Sequence, residues 1–235
     1  KFFIIDFENT LRAYSVNDGR EIWKIKTAKS LIRTQKKLSL VIVDNKIYFN
    51  NSLGDISSVD IKTGELIWQT PTQSSLVGDE SFFLNTSDII ADKNTLYFSN
   101  NKNQFFSLDI KTGILNWQQK INSKLRPTLI DNYILTVSLE GYLIIVDKIS
   151  GKIIRSTDIF KNIKQKLRKK IKPTGLIVGE QNSYISTDYG RLFVIETNTG
   201  IIKSIVKIDN GKILRPAVLN KKIFITTDNS IIKLN

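Results

Sequence analysis

A cluster of basic side chains is the part of this sequence whose spacing best suits a chemical role. Residues 161–172, called here the basic segment, contain seven Lys or Arg residues and no Asp or Glu. Such a run favours an acidic protein surface or anionic lipid headgroups, to which each basic residue contributes about 1 kcal/mol. An ordinary solvated loop is the alternative interpretation, because only Phe160 supplies an aromatic ring nearby. The residues predicted to bind a partner are Lys164, Lys166, Arg168, Lys169 and Lys170.

Two further basic residues occupy equivalent places in a repeated tripeptide. Arg126 and Arg215 each stand in the sequence Leu-Arg-Pro. Proline suits the first residue of a strand, where no backbone donor is needed, so each tripeptide predicts the start of a strand. The two arginines are therefore candidates for a partner-binding rim, and structural capping of the strand is the alternative.

The chain contains neither cysteine nor histidine. It therefore has no disulfide, no thiolate nucleophile or metal ligand, and no imidazole base. We predict no enzymatic activity, no catalytic residue, no metal site and no cofactor. The net charge of +13 favours anionic partners, although lysines spread along the whole chain are also typical of compositional drift. No nucleic-acid partner is expected, since the basic segment lacks stacking aromatic residues.

These residues are set in a chain built from a repeated motif. Its fullest copies, Val59–Trp68 and Leu108–Trp117, share Asp-x-x-Thr-Gly with a Trp four residues after the Gly. Five copies recur at intervals of 38–49 residues, which is the period of four-stranded propeller blades. The repeat positions are Gly19, Trp23, Asp60, Gly64, Trp68, Asp109, Gly113, Trp117, Gly151 and Gly200.

The motif has a mechanical explanation that needs no ligand. Asp60 is expected to cap a turn through its side chain, and Gly64 to supply the positive φ of a tight hairpin with a bulge. The Trp is expected to wedge between neighbouring sheets and to bury a large apolar area there. Arg155 and Ser204 replace the Trp in the fourth and fifth copies. We expect those two sheets to be held less tightly.

Between the motifs, β-branched and aromatic residues alternate with Asn-, Asp- and Gly-containing turns, which predicts four strands per unit. The fold class is therefore all-β, a propeller of four-stranded antiparallel blades in one domain, 1–235. About six blades are recognisable, as units of approximately 1–27, 38–72, 87–121, 125–158, 173–208 and 214–235. The first and last units supply only three strands each. Either the ends pair irregularly or the ring has more blades, eight in all.

The motif, preceded by a strand–turn–strand, resembles the repeat of pyrroloquinoline-quinone-type β-propellers along essentially the whole chain. Within that group it is most similar to the outer-membrane assembly lipoproteins of the BamB family. The repeat also occurs in quinone-dependent dehydrogenases, which are longer and hold a quinone beside calcium, often with a vicinal disulfide. That set of ligands is not recognisable in this sequence.

The BamB resemblance implies a non-catalytic scaffold for assembly of outer-membrane β-barrel proteins. It implies the barrel insertase and unfolded outer-membrane proteins as partners, with an anionic membrane surface as a further one. It also implies the periplasmic face of the outer membrane of a Gram-negative bacterium, with a lipid anchor on a segment outside this sequence. A generic ligand- or protein-binding sensory propeller is the alternative, and a quinone-dependent dehydrogenase is the third candidate.

Overall fold

The computed structural model describes residues 1–27, 38–73 and 84–234, so Asn235 of the last predicted unit lies outside the described residues. The chain divides into two compact units, Lys1–Lys124 and Leu125–Asn235. The strands of the first are β1 Phe2–Ile5, β2 Thr10–Tyr14, β3 Glu21–Lys26, β4 Leu40–Val43, β5 Lys46–Asn50, β6 Ile56–Asp60, β7 Leu66–Thr70, β8 Ile90–Ala91, β9 Thr95–Asn100, β10 Gln104–Asp109 and β11 Leu115–Gln119.

The second unit contains eleven described strands and one short helix, α1, at Gln165–Arg168. The strands are β12 Thr128–Ile130, β13 Tyr133–Val137, β14 Tyr142–Asp147, β15 Ile153–Asp158, β16 Pro173–Val178, β17 Asn182–Thr187, β18 Arg191–Glu196, β19 Ile202–Lys207, β20 Ala217–Leu219, β21 Lys222–Thr226 and β22 Ile231–Leu234. The helix lies within the basic segment. Among the described residues, no helix has the length and apolar character needed to cross a bilayer.

Among the described residues, strands that follow one another in the chain pair antiparallel to form six sheets, numbered 1–6 in chain order. Sheets 1 and 6 have three strands, β1–β3 and β20–β22. Sheets 2 to 5 have four strands each, β4–β7, β8–β11, β12–β15 and β16–β19. The four complete units and the three-stranded unit at each end are therefore confirmed.

Each unit buries the facing surfaces of its consecutive sheets. In the first unit, Leu11 of sheet 1 packs with Phe49 of sheet 2, and Tyr48 of sheet 2 packs with Phe98 of sheet 3. In the second unit, sheets 4 and 5 share a cluster, and sheets 5 and 6 share a smaller one around Ile213. The second and third strands of a sheet carry most of this core, whereas fourth strands such as β7 are half-exposed. Fourth strands therefore present an edge to solvent.

Candidate functional site

The repeated turn is built as its residues predict. One carboxylate oxygen of Asp60 accepts the backbone N–H groups of Lys62 at 2.7 Å and Thr63 at 2.9 Å. Gly64 has φ +77°, and its N–H donates to the carbonyl of Asp60 at 2.9 Å. A register shift between Ser58 and Val59 marks the predicted bulge. The turn and bulge mechanism of the motif is thereby confirmed.

Hydrogen bonds to the charged form lower the pKa of the turn carboxylates. For Asp60 the main cause is the backbone N–H of Thr63. For Asp109 it is the hydroxyl of Thr112, which donates to the carboxylate at 2.8 Å. These carboxylates already accept hydrogen bonds from their own turns. They are therefore poor candidates for acid–base chemistry or metal binding.

Tryptophans wedge between sheets in the first unit, as predicted. A Cβ built on Gly64 would lie 2.6 Å from the Cδ2 atom of Trp23, and one on Gly113 would lie 2.5 Å from Cε3 of Trp68. The indoles of sheets 1 and 2 therefore cover the turn glycines of sheets 2 and 3. We call the space between the last strand of a sheet and the repeated turn of the following sheet an interblade slot.

Arg155 occupies the tryptophan position of sheet 4 and makes polar contacts that an indole cannot make. Its two terminal guanidinium nitrogens donate to the backbone carbonyls of Thr197 and Asn198, in the turn of sheet 5. Its Nε lies 3.3 Å from the position of a Cβ on Gly200. Desolvation lowers the pKa of this guanidinium. Sheets 4 and 5 are therefore joined by hydrogen bonds at the place where the indole rings of sheets 1 and 2 pack against the following turn.

The basic segment is a folded protrusion anchored by apolar residues at both ends. Phe160 is fully buried beneath Gly141, and Ile171 is fully buried in the cluster shared by sheets 4 and 5. Ile163 packs against the same cluster from inside the segment. Arg168 bonds to Asp158 at 2.7 Å, which ties the helical turn to the end of β15. The segment thus has a defined position, with its charges outside.

The structure separates the seven basic residues by role. Arg168 is half-buried in its ion pair, and Lys172 reaches the carbonyl of Leu139 at 3.5 Å. The other five are exposed and form no ion pair with any described residue, and they are Lys161, Lys164, Lys166, Lys169 and Lys170. Arg168 is therefore a structural contact, while Lys164, Lys166, Lys169 and Lys170 stay available to a partner. Lys161, outside the predicted set, shares their exposure.

The two Leu-Arg-Pro arginines have different surroundings. Pro127 and Pro216 are buried at the starts of β12 and β20. Arg215 donates from Nε to the carbonyl of Leu176 at 2.9 Å, which links sheet 6 to sheet 5. Arg126 is exposed and makes no side-chain hydrogen bond or ion pair within the described ranges. The tripeptide precedes a strand in both places and both arginines are exposed, but Arg215 is bound to the backbone of sheet 5 and Arg126 is not.

An aromatic partner of each tryptophan was not predicted. Phe3 lies on β1 of the three-stranded sheet 1, and Tyr48 and Tyr97 lie on the second strands of sheets 2 and 3. Each precedes its Trp by 20 residues. The ring centroids lie 5.8 Å apart for the Phe3 and Tyr48 pairs and 6.0 Å for the Tyr97 pair. This constant spacing could have identified the three aromatic pairs from the sequence. Within the described residues, no cluster of three or more Asp or Glu side chains is arranged to hold a metal ion.

The turn, the bulge and the wedged ring recur from sheet to sheet, and the comparison with protein families matches the same region. Residues 2–157 match the family described as outer membrane protein assembly factor BamB. The chain belongs to the BamB family. No curated protein sequence matches this member of the family.

Solved structures show which fold this BamB-family chain has. It is similar to BamB from Moraxella catarrhalis, with a TM-score of 0.80 and 15% identity over 98% of this chain and 68% of the other. It is also similar to the computationally designed protein Ika8, with a TM-score of 0.74 and 15% identity over 97% of this chain and 65% of the other.

A third structure, the β-propeller domain of Cps50 (Swd1) from Myceliophteria thermophila, has a TM-score of 0.65 and 13% identity over 86% of this chain and 65% of that domain. The BamB-family chain thus spans about two thirds of the length of each structure. These likenesses confirm the predicted all-β propeller fold class.

Proposed function

We propose that this member of the BamB family is a non-catalytic scaffold that binds proteins during assembly of outer-membrane β-barrels. It acts at the periplasmic face of the outer membrane, where the barrel insertase and unfolded outer-membrane proteins are its partners. The family match over residues 2–157 supports this proposal. The turn carboxylates, bound to their own backbone, are consistent with a role that involves no catalysis.

The single observation that carries the proposal is the exposure of five lysines on the anchored basic segment. Phe160, directly before the segment, and Ile171 within it are buried, so the segment is held in place without a partner. Its exposed lysines meet no acidic side chain among the described residues. A positive surface on a fixed support favours an acidic protein surface and speeds encounter with it. We therefore assign partner capture to this segment.

A pull-down from Gram-negative envelope extracts tests the proposal. The tagged chain is compared with a variant in which Lys161, Lys164, Lys166, Lys169 and Lys170 are changed to Gln. We expect the chain to recover the barrel insertase and the variant to recover much less. The difference should shrink as salt is raised, because screening weakens contacts between exposed charges.

A matched control removes the same charge elsewhere. The exposed lysines Lys62, Lys93, Lys111, Lys120 and Lys124 are changed to Gln in the control variant. Normal recovery by this control would show that position, and not net charge, matters. If the folded original chain recovers no envelope protein, the assembly role is wrong and a generic binding propeller takes its place.

A further inference from the structure

The interblade slot of sheet 4 lacks the aromatic pair that fills the slots of sheets 1 and 2. In sheet 2, strand register places Tyr48 opposite Ser58, and Ser58 opposite Trp68. In sheet 4 the equivalent register joins Leu135 to Ile145, and Ile145 to Arg155. Two rings are therefore replaced by two narrower side chains.

A cavity of about 390 Å³ lies at this slot. It is lined by Ile130, Asp131, Tyr133, Leu135, Ile145, Ile154, Arg155, Thr197 and Asn198. Its volume falls within the range of small-molecule pockets, roughly 300–1,000 Å³. An apolar cavity of about 150 Å³ already accepts benzene, so this space is large enough for a bicyclic ring.

The walls suit a flat, electron-rich ring. Ile130, Leu135 and Ile145 offer apolar contact, and Arg155 offers a cation for the face of a ring. The two terminal nitrogens of Arg155 already donate to Thr197 and Asn198, while its buried Nε–H has no partner among the described residues. Arg155 is therefore held as part of the wall while the space beside it stays open.

The position of the mouth indicates how a ring reaches the cavity. Tyr133 and Ile154 line the cavity and are 43% and 58% exposed. Ile154 lies on β15, the last strand of its sheet, and no other described strand pairs with the outer edge of β15. An extended polypeptide lying along that edge can insert a side chain past Ile154.

We propose that this cavity binds an aromatic side chain of a polypeptide partner, in the place that the chain's own aromatic pair fills in sheets 1 and 2. The site needs neither the basic segment nor the barrel insertase. It can therefore be tested on the intact chain alone, and its failure would leave the proposed function standing.

Titration with small probes tests the site. Indole supplies the ring alone, N-acetyltryptophanamide supplies the ring between two peptide groups, and N-acetylalaninamide lacks the ring. Methyl NMR of the intact chain should show shifts, and contacts with the probe, at Ile130, Leu135 and Ile145. We expect N-acetyltryptophanamide to bind at least as tightly as indole, and N-acetylalaninamide to leave these methyl signals unchanged.

Filling the slot from within should remove binding. Leu135→Tyr with Arg155→Trp restores the pair found in sheets 1–3 and should weaken both ring probes by about tenfold or more. Arg155→Trp alone serves if the double variant does not fold. Trp68→Ala is the reverse control, since it opens the slot of sheet 2 and should create a second site for indole.

Three outcomes would overturn the inference. One is an absence of methyl shifts up to the solubility limit of the probes. Another is equal binding by the chain and by the folded, slot-filled variant. The third is binding of indole without binding of N-acetyltryptophanamide, which would show a pocket for small molecules instead of a site for a side chain.

Discussion

Replacing Gly113 by alanine isolates the energy of the wedge between sheets. Gly113 and Gly19 occupy the same place in the repeated turn, and both have φ +72°. A Cβ on Gly19 would meet no atom within 4 Å, whereas one on Gly113 would lie 2.5 Å from Cε3 of Trp68 and 2.6 Å from Oγ1 of Thr70. Gly19→Ala is therefore a matched control, because it introduces the same backbone strain without a clash between the new Cβ and a neighbouring side chain.

The two substitutions should differ by the cost of moving the indole. The left-handed backbone costs an alanine about 1–2 kcal/mol at either position. At Gly113 the new carbon lies about 1 Å inside ordinary carbon–carbon contact, and overpacking of that kind costs roughly 1–3 kcal/mol. We expect unfolding free energy to fall by about 1–2 kcal/mol for Gly19→Ala and by about 2–5 kcal/mol for Gly113→Ala.

Urea unfolding followed by circular dichroism and tryptophan fluorescence measures both values. A second background, Trp68→Leu, removes the clash with the ring and leaves the contact with Thr70 Oγ1, so Gly113→Ala should there cost less than in the original chain. This coupling is the double-mutant signature of direct contact. Equal costs for the two glycines in the original chain, or no coupling to Trp68, would refute the wedge mechanism.

Three more measurements follow from the described contacts. The Thr112 hydroxyl lowers the pKa of Asp109. The Asp109 carboxylate therefore stabilises the fold above about pH 4 and loses that effect as the pH falls through the folded pKa. In Asp109→Asn, the free energy of unfolding measured with urea should fall less steeply as the pH is lowered. Asn9→Ala removes two buried hydrogen bonds to Ser52, of 2.9 and 2.7 Å, and should cost about 1–3 kcal/mol in thermal or urea unfolding. Ile171→Ala should cost about 2–5 kcal/mol and speed hydrogen exchange in α1.

The structural features that could be predicted are those that depend on residues close to one another in the sequence. Asp60 and Gly64 lie within one turn, so their types and spacing determine its hydrogen bonds and bulge. The cavity beside Arg155 depends on four strands and on the turn at Thr197, which only the assembled sheets bring together. The 20-residue spacing from Leu135 to Arg155 carries part of that information, but only once the aromatic pairs of the earlier sheets are known.

The basic segment and the cavity lie close enough to act on one partner. Arg155 and Asp158 share β15, and three residues of strand span about 10 Å. Asp158, the last residue of β15, forms an ion pair with Arg168 at 2.7 Å. The basic segment is therefore attached to the end of the strand that lines the cavity. Charge then speeds arrival of the partner, and the ring sets how long it stays. Neutralising the lysines should therefore slow association, and filling the slot should speed dissociation.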